Sequence, residues 1–300
     1  MFAPTYTSFL SSALTIGCNI HLVRPTCDGQ VTPEQIEKAV IEHPEAKAVF
    51  LINPNNPTGQ CFTKKELEKI ARLAIEHNLI VISDEIVHKL VFDLKEAFIS
   101  IASIHIDGKS MFERTITLRS VSKDHGLAAV RSGYAIGPTD LMNTLAIDSF
   151  TFATTFNVDD LAQHVTIAAL SHTTDEYYKA QRDLLRHHRD LVIRFVEDIN
   201  RQVGYEAIKA ERPPAGLFQI INASGLRGKV YDEKILKSDL ILYELLLQDG
   251  KEGVALSPAS CGGYDPEDMN LRLTLSSPEK DIILGMKRLG KFINKVYGLT

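Results

Sequence analysis

The chain has no surplus of positive charge, no apolar run of membrane length and few cysteines. Its 33 Lys and Arg are outnumbered by 38 Asp and Glu, for a net charge of −5. That leaves no basic footprint, so nucleic acid is not an expected partner. No apolar run approaches the roughly 20 residues that span a bilayer, so no membrane partner is expected. The opening stretch, MFAPTYTSFLSSALTIG, has no basic residue ahead of its apolar ones and does not read as a secretory signal. Four cysteines (Cys18, Cys27, Cys61 and Cys261) are scattered without a C-x-x-C pair. Reduced thiols in a cytoplasmic protein are expected, with no disulfide framework and no metal site. Internal repeats, low-complexity tracts and flexible linkers are also missing. What remains, 44% hydrophobic and 24% charged over 300 residues, is ordinary globular composition, enough for one large core and a smaller one.

The first half alternates strand and helix signals. KAVFLI (Lys47 to Ile52) is a β-prone apolar run that ends in the breaker cluster NPNNPTG. TKKE (Thr63 to Glu66) is a capping box, followed by an apolar helical stripe of Leu67, Ile70, Ala71, Ala74 and Ile75. LIVIS (Leu79 to Ser83) reads as a buried strand leading into Asp84. RTITLR (Arg114 to Arg119) and GYAIG (Gly133 to Gly137) are further strands. Strands separated by helices imply an α/β fold with a mainly parallel, doubly wound sheet. Later the texture changes. Helices are expected near Asp159 to Leu170, along Asp175 to Asn200, near Ser238 to Leu247 and from Pro278 onward. The long one carries Tyr178, Leu185, Val192, Phe195 and Ile199 on one side. GLFQII, GVAL and NLRLTL supply strands between the later helices, which suits a smaller α+β domain.

Three early strands end at residues unusual for plain turns: Asn56 in NNPTG, Asp84 in SDE and Lys123 in SVSK. Ligands of open α/β sheets bind beyond the carboxyl ends of the strands. An amine, a carboxylate and an amide held there suit pyridoxal 5'-phosphate (PLP), which needs a lysine and an anionic partner for its ring nitrogen. Ser120, Ser122, the bend at Gly126 and Arg131 would suit its phosphate. Each residue also has a plainer reading. Lys123 would be a surface charge, Asp84 a helix cap, Asn56 a turn residue, Tyr6 a core aromatic, and Arg131 and Arg272 ion-pair partners. His125 reads as a local structural residue, and LRHHRD (Leu185 to Asp190) as a solvated helix face without metal-ligand geometry.

Together, NPNNPTG, SDEI and SVSKDHGLAAVRSGY resemble the N-P-x-N-P-T-G, S-D-E-I-Y and S-x-S-K-x-x-G-L-x-G-x-R-x-G-Y motifs of the class I/II aminotransferases, fold-type I PLP enzymes. PPAGLF and NLRLTL extend the resemblance along the chain. It implies a PLP-transferase-like large domain over 1–172 and a small C-terminal domain over 173–300. It also implies roles. Lys123 would form the Schiff base and move the substrate's Cα proton. Asp84 would pair with the pyridinium nitrogen. Asn56, with a cis bond to Pro57, would bond the ring hydroxyl oxygen and help bind substrate. Tyr6 would stack on the cofactor. Ser120, Ser122 and Arg131 would hold the phosphate, and Arg272 the substrate carboxylate.

The chain departs from the family pattern at two places. The usual N-terminal arm and the glycine-containing phosphate loop have no counterpart before NPNNPTG. The tyrosine that follows DEI in the family is Val87 here, with His88 next. The expected activity is transfer of an amino group between an L-α-amino acid and a 2-oxo acid, by a cytoplasmic homodimer. Two alternatives stand beside it: a C–S lyase or other PLP enzyme of the same fold, and a truncated paralogue without catalysis.

Overall fold

The structure, a computed structural model, describes residues 1–25, 31–93, 97–146 and 158–299. They fall into two compact units, one of Met1–Phe2, Asn19–Asn55 and Gln60–Arg182, the other of Ala3–Cys18, Asn56–Gly59 and Asp183–Thr300.

In the first unit, β1 (Ala48–Ile52), β2 (Ile80–Asp84), β3 (Thr115–Ser120) and β4 (Gly133–Ile136) form one sheet in the order β1-β2-β3-β4. The first three strands are parallel, and β4 runs antiparallel to β3. The expected mainly parallel sheet is therefore present, with GYAIG as its antiparallel edge. Helix α3 (Lys64–Glu76) joins β1 to β2, and α2 (Pro33–Glu42) precedes β1. Both start at capping boxes, Thr32 with Gln35 and Thr63 with Glu66, which satisfy the amide donors that a helix start leaves open. The stripe of α3 buries Leu67, Ile70, Ala71, Leu73 and Ala74 against Leu51, Val81 and Ile36. Each large side chain sealed there contributes about 1.5–3 kcal/mol.

The second unit is built on an antiparallel sheet. Its strands are β5 (Lys209–Ala210), β6 (Phe218–Asn222), β7 (Ser257–Pro258) and β8 (Asn270–Thr274), in the order β7-β8-β6-β5. The expected strand GVAL is replaced by the short β7 just after it. Helices α8 (Asp239–Gln248) and α9 (Glu279–Val296) complete this unit, with Ile282, Met286, Leu289, Phe292 and Ile293 of α9 buried. Two helices of the first unit, α5 (Thr139–Ala146) and α6 (Asp160–His172), precede the long helix α7 (Asp175–Val203), which runs 29 residues. On it Leu185, Val192 and Ile199 are buried as expected, Val196 is buried beside them, and Phe195 is only half-buried.

LRHHRD is not a solvated face. His188 and Arg189 are 2% and 1% exposed. His188 Nδ1 lies 2.7 Å from the Leu275 carbonyl, and Arg189 donates to the Pro213 carbonyl at 3.1 Å and the Asp190 carboxylate at 2.9 Å. Arg189 falls four residues after Leu185 and three before Val192, on the buried stripe, so helical periodicity carries it inward despite its charge. Among the described residues no helix is long and apolar enough to cross a membrane. Cys18, Cys61 and Cys261 are not joined in disulfides, and Cys27 lies outside the described residues.

Candidate active site

The carboxyl ends of β2 and β3 meet in the first unit. Asp84 closes β2 and pairs in register with Leu118, two residues before Ser120. Asp84 is 6% exposed, and its carboxylate accepts the Ile86 N–H at 3.0 Å. Its second oxygen has no partner among the described residues. Burial, with a further push from the Glu85 carboxylate, raises its pKa from 3.8 to about 6.

β3 runs straight into a single helical turn, α4 (Val121–Asp124), and Ser120 caps it. The Ser120 hydroxyl accepts the Ser122 N–H at 3.0 Å and donates to the Ser132 carbonyl at 2.6 Å. The Ser122 hydroxyl sits 2.8 Å from it. This short cap turns the chain sharply and presents Lys123, whose side chain is exposed. Its amine has no partner among the described residues. Arg131 follows in the left-handed region, at φ 58°, with its guanidinium donating to the Ala128 carbonyl at 2.9 Å. Asp84, Ser120, Ser122, Lys123 and Arg131 thus gather around the ends of two adjacent strands.

The other three candidates belong to the second unit. Arg272 lies on β8, half-buried, with its guanidinium 4.4 Å from the centre of the Phe218 ring and no hydrogen-bond partner among the described residues. It borders a cavity of about 290 Å³ lined also by Thr5, Thr7, Pro57, Tyr243, Ser257 and Cys261. The Thr5 N–H donates to the Gly262 carbonyl at 2.7 Å, and the Thr7 hydroxyl to the Cys261 carbonyl at 2.5 Å. These bonds tie the early segment to the loop after β7. Asn56 precedes Pro57 through a cis bond, and its Oδ1 is buried without a partner among the described residues. Tyr6 is 43% exposed at the start of α1 (Thr7–Thr15), where its ring meets Phe9 edge-on. The sequence held no local signal for the cavity, whose walls come from positions more than 200 residues apart.

Two polar pairs beneath the first-unit cluster were also not anticipated. Glu85 is fully buried and accepts from Arg119 Nη2 at 2.7 Å and Nε at 3.2 Å. The Ser83 and Ser100 hydroxyls donate to its other oxygen. Asp124, next to Lys123, is buried and lies 2.7 Å from His88 Nδ1. Burial pushes the Asp124 carboxyl upward, against the pull of His88. His125 has Nε2 2.8 Å from the Tyr178 hydroxyl, and burial lowers its pKa.

The profile of the family "Aminotransferase class I and II" matches residues 1–288. The chain is 32% identical to an aspartate aminotransferase of Bacillus sp. (strain YM-2) over 199 residues, covering 64% of this chain and 45% of that protein. It is 28% identical to the aspartate aminotransferase of Bacillus subtilis (strain 168) over 271 residues, covering 89% of this chain and 62% of that one. The solved aspartate aminotransferase of Thermus thermophilus with maleate superposes with a TM-score of 0.77 at 26% identity, over 97% of this chain and 68% of that one. The chain thus spans about half to three-fifths of the length of these two curated relatives. With a match over nearly its whole length, the chain belongs to the class I and II aminotransferase family.

Proposed function

We propose that the protein is a PLP-dependent aminotransferase that moves an amino group between an L-α-amino acid and a 2-oxo acid. The observation that carries this reading is the pairing of an exposed, unpartnered Lys123 with the buried carboxylate of Asp84 at the ends of neighbouring strands. The family implies PLP, and the residues present fit it. A buried carboxylate with a free oxygen suits a cationic ring nitrogen, and the unpartnered buried end of the Asn56 amide suits a ring oxygen once turned to present its NH₂. Ser120, Ser122 and Arg131 would hold the phosphate, and the Tyr6 ring would cover the cofactor's face.

Bound, PLP supplies an electron sink for the charge left when a substrate Cα–H bond breaks. Lys123 would anchor the cofactor through its amine. Freed by the incoming amino acid, its Nζ would take the proton from Cα. Asp84 would keep the ring nitrogen protonated, since above about pH 6 its carboxylate is charged. Arg272 would grip the α-carboxylate with two parallel N–H donors, its plane preset by the stack on Phe218. The relatives' names make aspartate the first amino donor to try. The same reading makes the protein a cytoplasmic homodimer in amino-acid biosynthesis, and three described cysteines outside any disulfide suit a reducing compartment.

The test is an absorbance titration with PLP followed by an amino-donor screen. Wild-type chain is expected to bind PLP as an imine that borohydride fixes to Lys123, and to form a 2-oxo acid from the donor. Lys123→Ala should do neither. Pyruvate and ammonia released without an oxo-acid acceptor would replace the reading with an elimination activity, and a flat spectrum would overturn it.

A further inference from the structure

His21, His43 and Glu45 form the one group of three metal-binding side chains among the described residues, with their ligand atoms all within 4.8 Å of one another. All three belong to the first unit and come from two separate stretches, the segment before α2 and the turn between α2 and β1. Their backbones are anchored. The His21 carbonyl accepts from the chain's amino terminus at 3.0 Å. His43 caps α2, its N–H donating to Ala39 and its carbonyl accepting from Ala46, both at 3.0 Å, which closes a turn around Glu45.

The distances do not suit ordinary hydrogen bonds. His21 Nε2 and His43 Nδ1 each lie 3.4 Å from the same oxygen, Glu45 Oε1. Hydrogen bonds from a ring N–H to a carboxylate run nearer 2.7–2.9 Å. Ligands at about 2.0–2.1 Å from a tetrahedral zinc ion are separated by about 3.3 Å, close to both spacings. The two rings face each other at 3.4 Å between centres. Bringing both lone pairs onto one ion needs a rotation of one ring about its Cβ–Cγ bond, and their partial exposure leaves room for it.

We propose that His21, His43 and Glu45 bind a divalent transition-metal ion of the zinc class, with water completing four-coordination. Two neutral imidazoles and a carboxylate are ordinary zinc ligands, whereas magnesium or calcium would want oxygen from most of its partners. The ion would clip the segment before α2 to the turn ahead of β1. Histidines 22 positions apart carry no motif spacing, which is why the sequence reading expected no metal.

The test is calorimetric titration of the chelator-treated full chain with Zn²⁺ at neutral pH, repeated with Co²⁺ and its visible absorbance as a report of coordination. One equivalent per wild-type chain is expected. His43→Ala and Glu45→Gln should each weaken it by more than about tenfold, the lower end of what losing a mere outer partner of a ligand costs. His187→Ala, which alters the exposed histidine beside Glu279, should leave it unchanged. Circular dichroism of each variant checks that it is folded, and the outward position of all three ligands makes unfolding unexpected. Wild-type chain that takes up no Zn²⁺, or affinity that survives both His43→Ala and Glu45→Gln, would overturn the site.

Discussion

Asp84→Asn should make the cofactor-free chain more stable at alkaline pH, even though it removes a residue assigned to function. The Asp84 carboxyl has a pKa of about 6 when folded, against 3.8 as its ordinary value. The folded state therefore holds a proton there over a range in which the unfolded state has lost it, and stability falls as pH rises through that range. The arithmetic gives a cost of about 0.5 kcal/mol at pH 4, about 1.6 at pH 5 and about 3 at pH 8, at roughly 1.4 kcal/mol per pH unit between the two values. Asparagine is nearly isosteric, keeps an acceptor for the Ile86 N–H and carries no charge. The stability difference between variant and wild type should thus widen by up to about 2.5 kcal/mol from pH 4 to pH 8, read from urea unfolding without PLP. Other raised carboxyls, such as Asp124 and Glu211, titrate alike in both chains and cancel in the difference. A difference that stays flat with pH, or a variant destabilised at every pH, would refute the reasoning. PLP retention should fall in the same variant, because the charge that burdens the free chain is the one the ring nitrogen would neutralise.

Arg119→Ala should destabilise the chain by about 3–5 kcal/mol, since it leaves Glu85 buried with only the Ser83 and Ser100 hydroxyls for partners. The urea midpoint would show this, and a loss under about 1 kcal/mol would mean that water reaches Glu85. Gly59→Ala should lower stability by at least about 2 kcal/mol, because Gly59 has φ 69° and an added methyl would strike the Ala215 carbonyl and come within 2.8 Å of the Pro213 side chain. Gly108→Ala, at φ 79° with open space around it, is the control and should cost only about 1 kcal/mol. Equal losses in thermal unfolding would discount the clash.

What could be read from the sequence was local. Hydrophobic alternation and capping residues located α3, the strands of the parallel sheet and the long helix α7, because period and cap act within a few residues. The stretch around Lys123 was legible for the same reason, since Ser120, α4 and the following bend form one continuous run. Partners far apart in sequence were not legible. Asp124 looks like any acid after a lysine until the fold sets His88 against it, 36 positions away. Arg189 reads as solvated until the stripe it shares with Leu185 and Val192 is seen to be covered. The cavity beside Arg272 likewise depends on Thr5 and Thr7 reaching the loop after β7.

That last dependence bears on how the protein can be divided. Counting along the chain, the backbone passes between the two units five times, after residues 2, 18, 55, 59 and 182. A fragment cut at 183 would therefore be an incomplete second unit, lacking the segment ahead of α1 that meets Gly262 and the turn that fills the space beside Ala215. Swapping the C-terminal half with that of a relative would have to carry residues 3–18 and 56–59 along with it. Recombination that respects linear order would break this molecule, whereas recombination that respects packing would exchange three pieces at once.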